Sequence, residues 1–132
     1  MVPIRLLVVD DSLTIRAMLS ELFGKQPDML LVGMASNGDE ALRLASQSRP
    51  DVVTLDVAMP GMDGIALLDR FMHGFRLQAV MLSSRQDLAM EAIGHGAVGF
   101  FEKTDIMRNP AALYRLIRKA ALIQPAPVRG KE

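Results

Sequence analysis

Three aspartates stand directly after short apolar runs, where their carboxylates could do chemistry. Asp10 and Asp11 follow the run Leu6–Val9, and Asp56 follows the run Val52–Leu55. An acid beside a buried apolar run is costly unless it has a use. Clustered carboxylates repel one another unless a cation or a proton intervenes, and an all-oxygen set favours Mg²⁺. The pattern indicates phosphoryl transfer, in which a metal neutralises charge while one carboxylate acts as nucleophile.

Two further polar residues stand at the ends of later apolar runs. Lys103 closely follows the run Ala97–Phe101, and its ammonium can pair with a carboxylate or with a phosphoryl oxygen. Ser83 follows the run Ala79–Leu82. Its hydroxyl can donate to a phosphoryl oxygen or cap the next helix, and the sequence leaves both roles open.

The elements that must position these residues are five apolar runs separated by segments with helical spacing. The runs are Leu6–Val9, Met29–Val32, Val52–Leu55, Ala79–Leu82 and Ala97–Phe101. Near-continuous apolar runs are typical of strands that are buried on both faces, as in a parallel sheet. Five strand–helix repeats predict a doubly wound α/β fold with five helices. The flavodoxin-like strand order 2-1-3-4-5 is the natural expectation, although the pattern alone leaves other orders open. That order brings the three aspartates together at the carboxyl edge of the sheet.

The helices are predicted from apolar stripes and from their end signals. The first stripe contains Ile15, Met18, Leu19, Leu22 and Phe23, and the fourth contains Leu88, Ala89, Ala92 and Ile93. Gly24 ends the first helix, Asn37 caps the second, and Pro110 occupies the first position of the fifth. We expect one domain over residues 1–123, followed by a tail or the start of a linker over 124–132.

Composition narrows the classes of function. The formal net charge is zero, so no basic face is expected for nucleic acid. Without cysteine there is no disulfide framework and no thiolate chemistry. No apolar run approaches the ~20 residues that cross a bilayer, and the start of the chain lacks the features of a signal peptide. We expect a soluble, cytoplasmic domain with no membrane contact.

Taken together, these segments resemble the receiver domains of bacterial response regulators in two-component systems. The matching segments are Val8–Ser12, Asp51–Asp56, Met59–Gly64, Ser83, Gly96–Ala97 and Phe101–Lys103. Within that family the wording is similar to the receiver half of chemotaxis methylesterases. The segment Val53–Val57, the pair Met59–Pro60 and the pair Ser83–Ser84 carry this closer likeness.

The resemblance implies a role for each site residue. Asp56 accepts a phosphoryl group from a sensor histidine kinase and, with Asp11 and the backbone carbonyl of Ala58, binds Mg²⁺. Asp10 acts through metal-bound water. Ser83 and Lys103 hold the phosphoryl oxygens. Phe100 occupies the place of an aromatic switch residue on the face formed by helix 4, strand 5 and helix 5.

The sequence also departs from the family pattern. Thr104 stands where members usually have a proline with a cis bond, so the Lys103–Thr104 bond is expected to be trans, because cis costs about 2.5–4 kcal/mol without proline. The spacing leaves open whether Ser83 or Ser84 supplies the hydroxyl. The catalytic half of the methylesterase is absent, so no enzyme activity of that kind is expected. An output domain in a longer protein and dimerisation both remain open.

Other functions fit the residues less well. Gly94, Gly96 and Gly99 have dinucleotide-motif spacing, but they close a helix rather than open one. An FMN-binding flavodoxin would meet repulsion from the two adjacent acids. Haloacid-dehalogenase-type phosphatases use aspartates separated by one residue, whereas Ser12 stands in the second of those positions. His73 and His95 have no ligand-like spacing, and we expect both at the surface or in turns.

Overall fold

A computed structural model describes residues 2–59, 63–123 and 125. The segment 60–62 of the Met59–Gly64 motif lies outside this range. So does the predicted tail over 124–132, apart from Pro125.

The chain forms the predicted five-stranded parallel sheet with strand order 2-1-3-4-5. Its strands are β1 (Ile4–Val9), β2 (Met29–Ala35), β3 (Val52–Asp56), β4 (Gln78–Ser83) and β5 (Gly99–Glu102). β5 begins later than the apolar run suggested. The backbone turns at Gly96, whose φ is 110°, and Ala97 still donates to the carbonyl of Ala92. The turn that closes the preceding helix therefore uses the first residues of the run.

Five helices alternate with the strands as predicted. They are α1 (Leu13–Gly24), α2 (Gly38–Ser48), α3 (Gly64–Gly74), α4 (Gln86–Gly94) and α5 (Pro110–Leu122), and a short 3₁₀ turn covers Lys103–Asp105. Four helices have side-chain caps, from Ser12, Asn37, Asp63 and Asn109. Arg85 precedes α4 and offers no side-chain cap. α4 thus starts with the least local support of the five.

Two apolar layers enclose the sheet. One layer packs side chains of α2, α3 and α4 against residues such as Val53 and Leu55 of β3. The other packs α1 and α5 against Val8, Val52 and Val80. Every strand of the sheet centre is buried on both faces, which explains the continuous apolar runs.

α4 and α5 differ in how firmly they pack. The buried residues of α4 are two alanines, Ala89 and Ala92, whereas α5 buries Leu113, Tyr114, Ile117 and Ala120. All four residues of the predicted stripe lie in α4: half-buried Leu88 packs against the same apolar layer as the two alanines, whereas Ile93, at the margin of the stripe, is 37% exposed. α4 is short, and the residues that it buries completely are small.

Polar contacts anchor α5 to the rest of the fold. The Tyr114 hydroxyl donates to the Leu22 carbonyl at 2.9 Å, and Arg118 pairs with Asp28 at 2.8 Å. Gln78, at the start of β4, donates to the Ile123 carbonyl at 3.4 Å. Across the part of the chain that is described, no helix is long and apolar enough to cross a membrane.

Candidate functional site

Asp10, Asp11 and Asp56 meet at the carboxyl edge of the sheet, as the sequence predicted. β1 and β3 are neighbours in register, so Asp10 and Asp56 follow paired residues of adjacent strands. One carboxylate oxygen from each of the three aspartates lies within 4.8 Å of the others. Asp10 and Asp56 are 0% and 1% exposed, whereas Asp11 is exposed to solvent. The cluster therefore has two buried members and one open side.

Lys103 reaches the same cluster from the end of β5. Its Nζ lies 2.9 Å from Asp56 Oδ2 and 3.1 Å from Asp10 Oδ2. Burial alone would lower the pKa of Lys103, but the hydrogen bond to Asp56 and the charges of both carboxylates outweigh that effect and raise it. Lys103 is therefore a fixed positive charge shared by two buried acids.

Burial dominates the electrostatics of Asp56 and raises the pKa of its carboxyl group. The hydrogen bond from Lys103 and the 3.0 Å bond from the Ala58 backbone N–H oppose this rise, and the neighbouring charge of Asp10 adds to it. Removal from water makes a carboxylate more basic and leaves its charge poorly solvated. Such a group gains stability from any further cation or covalent partner that reduces its charge.

Asp10 has one satisfied and one unsatisfied carboxylate oxygen. Oδ1 accepts the backbone N–H of Ser12 at 2.9 Å. Oδ2 is buried and accepts no hydrogen bond from the described residues, although the Lys103 ammonium is close to it. A buried carboxylate oxygen whose partner is a shared ammonium, beside two further carboxylates, fits the all-oxygen ligand preference of Mg²⁺.

Ser83 lies at the end of β4 and is 2% exposed, whereas the alternative hydroxyl, Ser84, is exposed. The Ser83 hydroxyl accepts from the Arg85 backbone N–H at 2.8 Å and donates to the Arg85 carbonyl at 2.9 Å. It therefore holds the β4–α4 loop and does not cap α4. Capping was one of its two predicted roles.

Phe100 and Thr104 lie on either side of Lys103. Phe100 is half-buried and packs on the layer formed with α2, α3 and α4, while its neighbour Phe101 packs on the opposite layer. The Lys103–Thr104 peptide bond is trans, as predicted.

Two nearby residues escaped the sequence reasoning. Arg16 donates to the Asp10 carbonyl at 2.6 Å, and only its place one turn into α1 hinted at this. Thr54 is completely buried in β3, and its hydroxyl has no hydrogen-bond partner among the described residues. A threonine inside an apolar strand was a visible signal. His95, expected at the surface or in a turn, follows α4 and pairs with Asp69 of α3 at 2.8 Å.

The doubly wound sheet and the acidic edge with its shared lysine define a class of protein. Residues 6–114 match the model of the response regulator receiver domain. The chain belongs to this family of two-component signalling domains.

The curated relatives that match this chain include protein-glutamate methylesterases/protein-glutamine glutaminases. The protein-glutamate methylesterase/protein-glutamine glutaminase of Thermotoga maritima is 40% identical over 104 residues, which is 76% of this chain and 30% of that protein. The enzyme of the same name from Thiobacillus denitrificans is 42% identical over 104 residues, with 76% and 29% covered. The chain thus spans about 30% of the length of these curated relatives.

Solved structures of response regulator domains are also similar to this chain. The response regulator domain of Thermotoga maritima CheB superposes with a TM-score of 0.86 and 34% identity, covering 93% of this chain and 99% of that one. A chain in the complex of the CheA3 P1 domain with CheY6 from R. sphaeroides gives 0.80 and 29%, covering 93% and 100%. The fold is that of a receiver domain.

Proposed function

We propose that Asp56 of this receiver domain accepts a phosphoryl group from the phosphohistidine of a sensor kinase. The carboxylate oxygen of Asp56 attacks phosphorus, the P–O bond forms, and the P–N bond breaks so that the imidazole leaves. The observation that carries this proposal is the buried cluster, in which Lys103 lies 2.9 Å from Asp56 and 3.1 Å from Asp10.

Each residue of the cluster has a part in this transfer. Asp11 and Asp56, with the carbonyl of Ala58, would hold Mg²⁺, and Asp10 would act on it through water. The metal supplies charge neutralisation between the entering phosphoryl oxygens and the carboxylates. Lys103 pairs with a phosphoryl oxygen, because an ammonium between two acids can turn toward a third.

The change is then passed on through Ser83 and Phe100. To donate to a phosphoryl oxygen, the Ser83 hydroxyl must leave the Arg85 carbonyl, to which it donates at 2.9 Å. That movement loosens the start of α4 and frees space into which half-buried Phe100 turns. The outer face of α4, β5 and α5 changes as the ring leaves it. Phosphoryl contacts need shift the balance between two packings by only a few kcal/mol.

The relatives support a proposal about the partners of this domain. A chemotaxis-type histidine kinase is the phosphodonor we propose, since one similar solved structure is a complex with the CheA3 P1 domain. Residues 1–123 act as a cytoplasmic signalling domain, and any methylesterase activity lies in sequence outside this chain. In a longer protein, 124–132 would lead to an output domain controlled by the switch. The zero formal net charge gives the domain no basis for binding nucleic acid.

Phosphorylation with a small phosphodonor tests the assignment of Asp56. With acetyl phosphate and Mg²⁺, intact-mass spectrometry should show one added phosphoryl group on the wild type and none on Asp56→Asn. Asp51→Asn is the matched control, because Asp51 is an exposed aspartate at the opposite edge of the sheet. Full labelling of Asp56→Asn would disprove the assignment.

The switch has a separate test. Ser83→Ala should still be phosphorylated, but its affinity for a partner should no longer respond to phosphorylation. Ser84→Ala serves as the control, because that hydroxyl is exposed. An unchanged response in Ser83→Ala, together with a single Phe100 rotamer in the free and beryllofluoride-bound forms, would rule out this route.

A further inference from the structure

Thr54 places a hydroxyl in the buried interior of the sheet. It is 0% exposed, and its Oγ1 has no hydrogen bond among the described residues. Its register partners on the two neighbouring strands are Val8 and Val80. Valine has nearly the same shape as threonine and would avoid the cost of an unpaired buried hydroxyl, about 1–3 kcal/mol. The hydroxyl therefore lacks a packing explanation.

The position of Thr54 relates it to the acidic cluster. Because side chains alternate along a strand, Thr54 and Asp56 lie on the same face of β3. The pairing of Val8 with Thr54 places Asp10, two residues further along, one row above on the neighbouring strand. Diagonal neighbours on one face of a sheet lie roughly 7–8 Å apart, and their Cβ atoms are somewhat closer. That separation allows polar tips to meet directly or through one buried water.

Asp10 has an acceptor oxygen that could use the donor of Thr54. Its buried Oδ2 has one partner among the described residues, the ammonium of Lys103 at 3.1 Å, and receives no hydrogen bond from any other described group. Lys103 is shared with Asp56, and in the proposed function it turns toward a phosphoryl oxygen. Oδ2 then loses charge compensation at the moment when the cluster becomes more negative. Thr54 carries an unused donor one row away.

We propose that Thr54 is a positioning residue for the phosphorylated state of the site. Its hydroxyl donates to Asp10 Oδ2, directly or through one buried water, when Lys103 turns to the phosphoryl group. The hydrogen bond fixes the orientation of Asp10 and stabilises its charge in that state. The inference rests on the proposed phosphoacceptor function, and it adds a layer beneath the residues that touch the phosphoryl group.

Two variants separate this role from a merely structural one. Thr54→Val keeps the shape and removes the hydroxyl, whereas Thr54→Ser keeps the hydroxyl and removes a methyl group. In metal-free buffer, Thr54→Val should unfold at a higher temperature than the wild type, and Thr54→Ser at a lower one. With Mg²⁺ and beryllofluoride as the phosphoryl mimic, calorimetry should show roughly tenfold weaker binding for Thr54→Val. Thr54→Ser should stay close to the wild-type affinity.

The opposite effects expected of Thr54→Val on thermal stability and on beryllofluoride binding test the proposed role of Thr54. Wild-type affinity in Thr54→Val, or equal weakening in both variants, would overturn the role of Thr54 while leaving Asp56 as the acceptor. Failure of the wild-type protein to bind beryllofluoride would instead overturn the proposed function, and the inference with it. Thr54→Val that binds weakly while melting at a higher temperature would support the inference.

Discussion

At the scale of single residues, the site is an unbalanced set of buried charges. Asp10 and Asp56 carry two negative charges, and Lys103 supplies one positive charge within 3.1 Å of both. Buried charges are tolerated when they are paired, so one carboxylate in this set is in excess. The effect of removing a charge therefore depends on which sign is removed.

Removal of the excess carboxylate should stabilise the metal-free protein. Asp56→Asn leaves Lys103 paired with Asp10, and we expect the free energy of unfolding at pH 7 to rise by on the order of 1 kcal/mol. Because burial raises the pKa of Asp56, its cost is present above that pKa and disappears as the pH falls through it. Urea titrations across this pH range should show the two proteins converging in acid. A gap that widens in acid would contradict the argument.

Removal of the lysine should have the opposite effect. Lys103→Met leaves two buried carboxylates without compensation, so we expect a loss of about 3 kcal/mol at neutral pH in metal-free buffer. Without the lysine, the pKa of Asp56 rises further. The loss of stability should therefore shrink as the pH is lowered, because the carboxylate becomes protonated and its buried charge disappears. Thermal melts at several pH values measure this. Lys119→Met, at an exposed position of α5, is the control and should change little.

The sequence predicted the charged members of the site well but not their partners. Asp10, Asp56 and Lys103 could be located because strand ends of a parallel sheet converge at one edge. The bond from Ser83 to Arg85 could not be foreseen, because a short loop offers a hydroxyl several backbone partners. The shared position of Lys103 depends on a side-chain rotamer, which spacing does not specify.

At the scale of elements, a glycine fixes the entry to α3. A Cβ on Gly64 would overlap the backbone carbonyl of Val57, whereas one on Gly74, at the other end of α3, would meet nothing within 4 Å. We expect Gly64→Ala to destabilise the protein by about 2–3 kcal/mol and Gly74→Ala to be neutral or slightly stabilising. Chemical denaturation of both variants tests this matched pair. Equal effects of the two substitutions would show that the backbone at Val57 shifts to accommodate the added methyl group at little cost in stability.

The anchor of α5 predicts a pH effect far from the acidic site. The hydrogen bond from Arg118 lowers the pKa of Asp28, so this contact stabilises the fold above the ordinary pKa of an aspartate and is lost as the pH falls through the lowered value. Asp28→Asn should therefore be less stable at neutral pH and lose less stability in acid than the wild type.

Asp87 offers the control for this prediction. Arg85 lowers its pKa in the same way, but the Arg85–Asp87 pair is exposed and joins residues only two apart in sequence. Asp87→Asn should leave the melting temperature nearly unchanged, because exposed ion pairs contribute little. If the two variants had the same stability at every pH, the contact between Arg118 and Asp28 would contribute no more to stability than an exposed ion pair.

Element boundaries were harder to predict than element types. Asn37 and Pro110 marked helix starts correctly because their capping chemistry is local. The start of β5 was misjudged, because the turn at Gly96 and the bond from Ala97 to the Ala92 carbonyl use the first residues of the apolar run. An apolar run can serve a turn as well as a strand.

At the scale of the whole molecule, both apolar layers are completed by residues up to the end of α5. The last described polar contact of the fold is the bond from Gln78 to the Ile123 carbonyl. A chain of residues 1–123 should therefore melt within a few degrees of the 132-residue protein. A chain that ends at residue 112 should not fold, because it loses the buried face of α5. A large destabilisation of the 1–123 chain would place the domain boundary later.

The strand order agrees with the expected one, which the pattern alone did not establish, because right-handed strand–helix repeats narrow the possible arrangements without leaving a single one. The sequence did not predict which helix packs most weakly on the sheet. The number of apolar residues in a helix is not a measure of the apolar area that the helix buries.

The two alanines that α4 buries have a consequence for local opening of the fold. Alanine removes little surface from water, so lifting α4 off the sheet exposes far less apolar area than lifting α5. The amide protons of α4 should therefore exchange with deuterium through small local openings, while those of α5 wait for global unfolding. If α4 is the helix that carries the proposed signal, such openings would let the receiver sample, before any phosphoryl group arrives, the displacements that phosphorylation later selects.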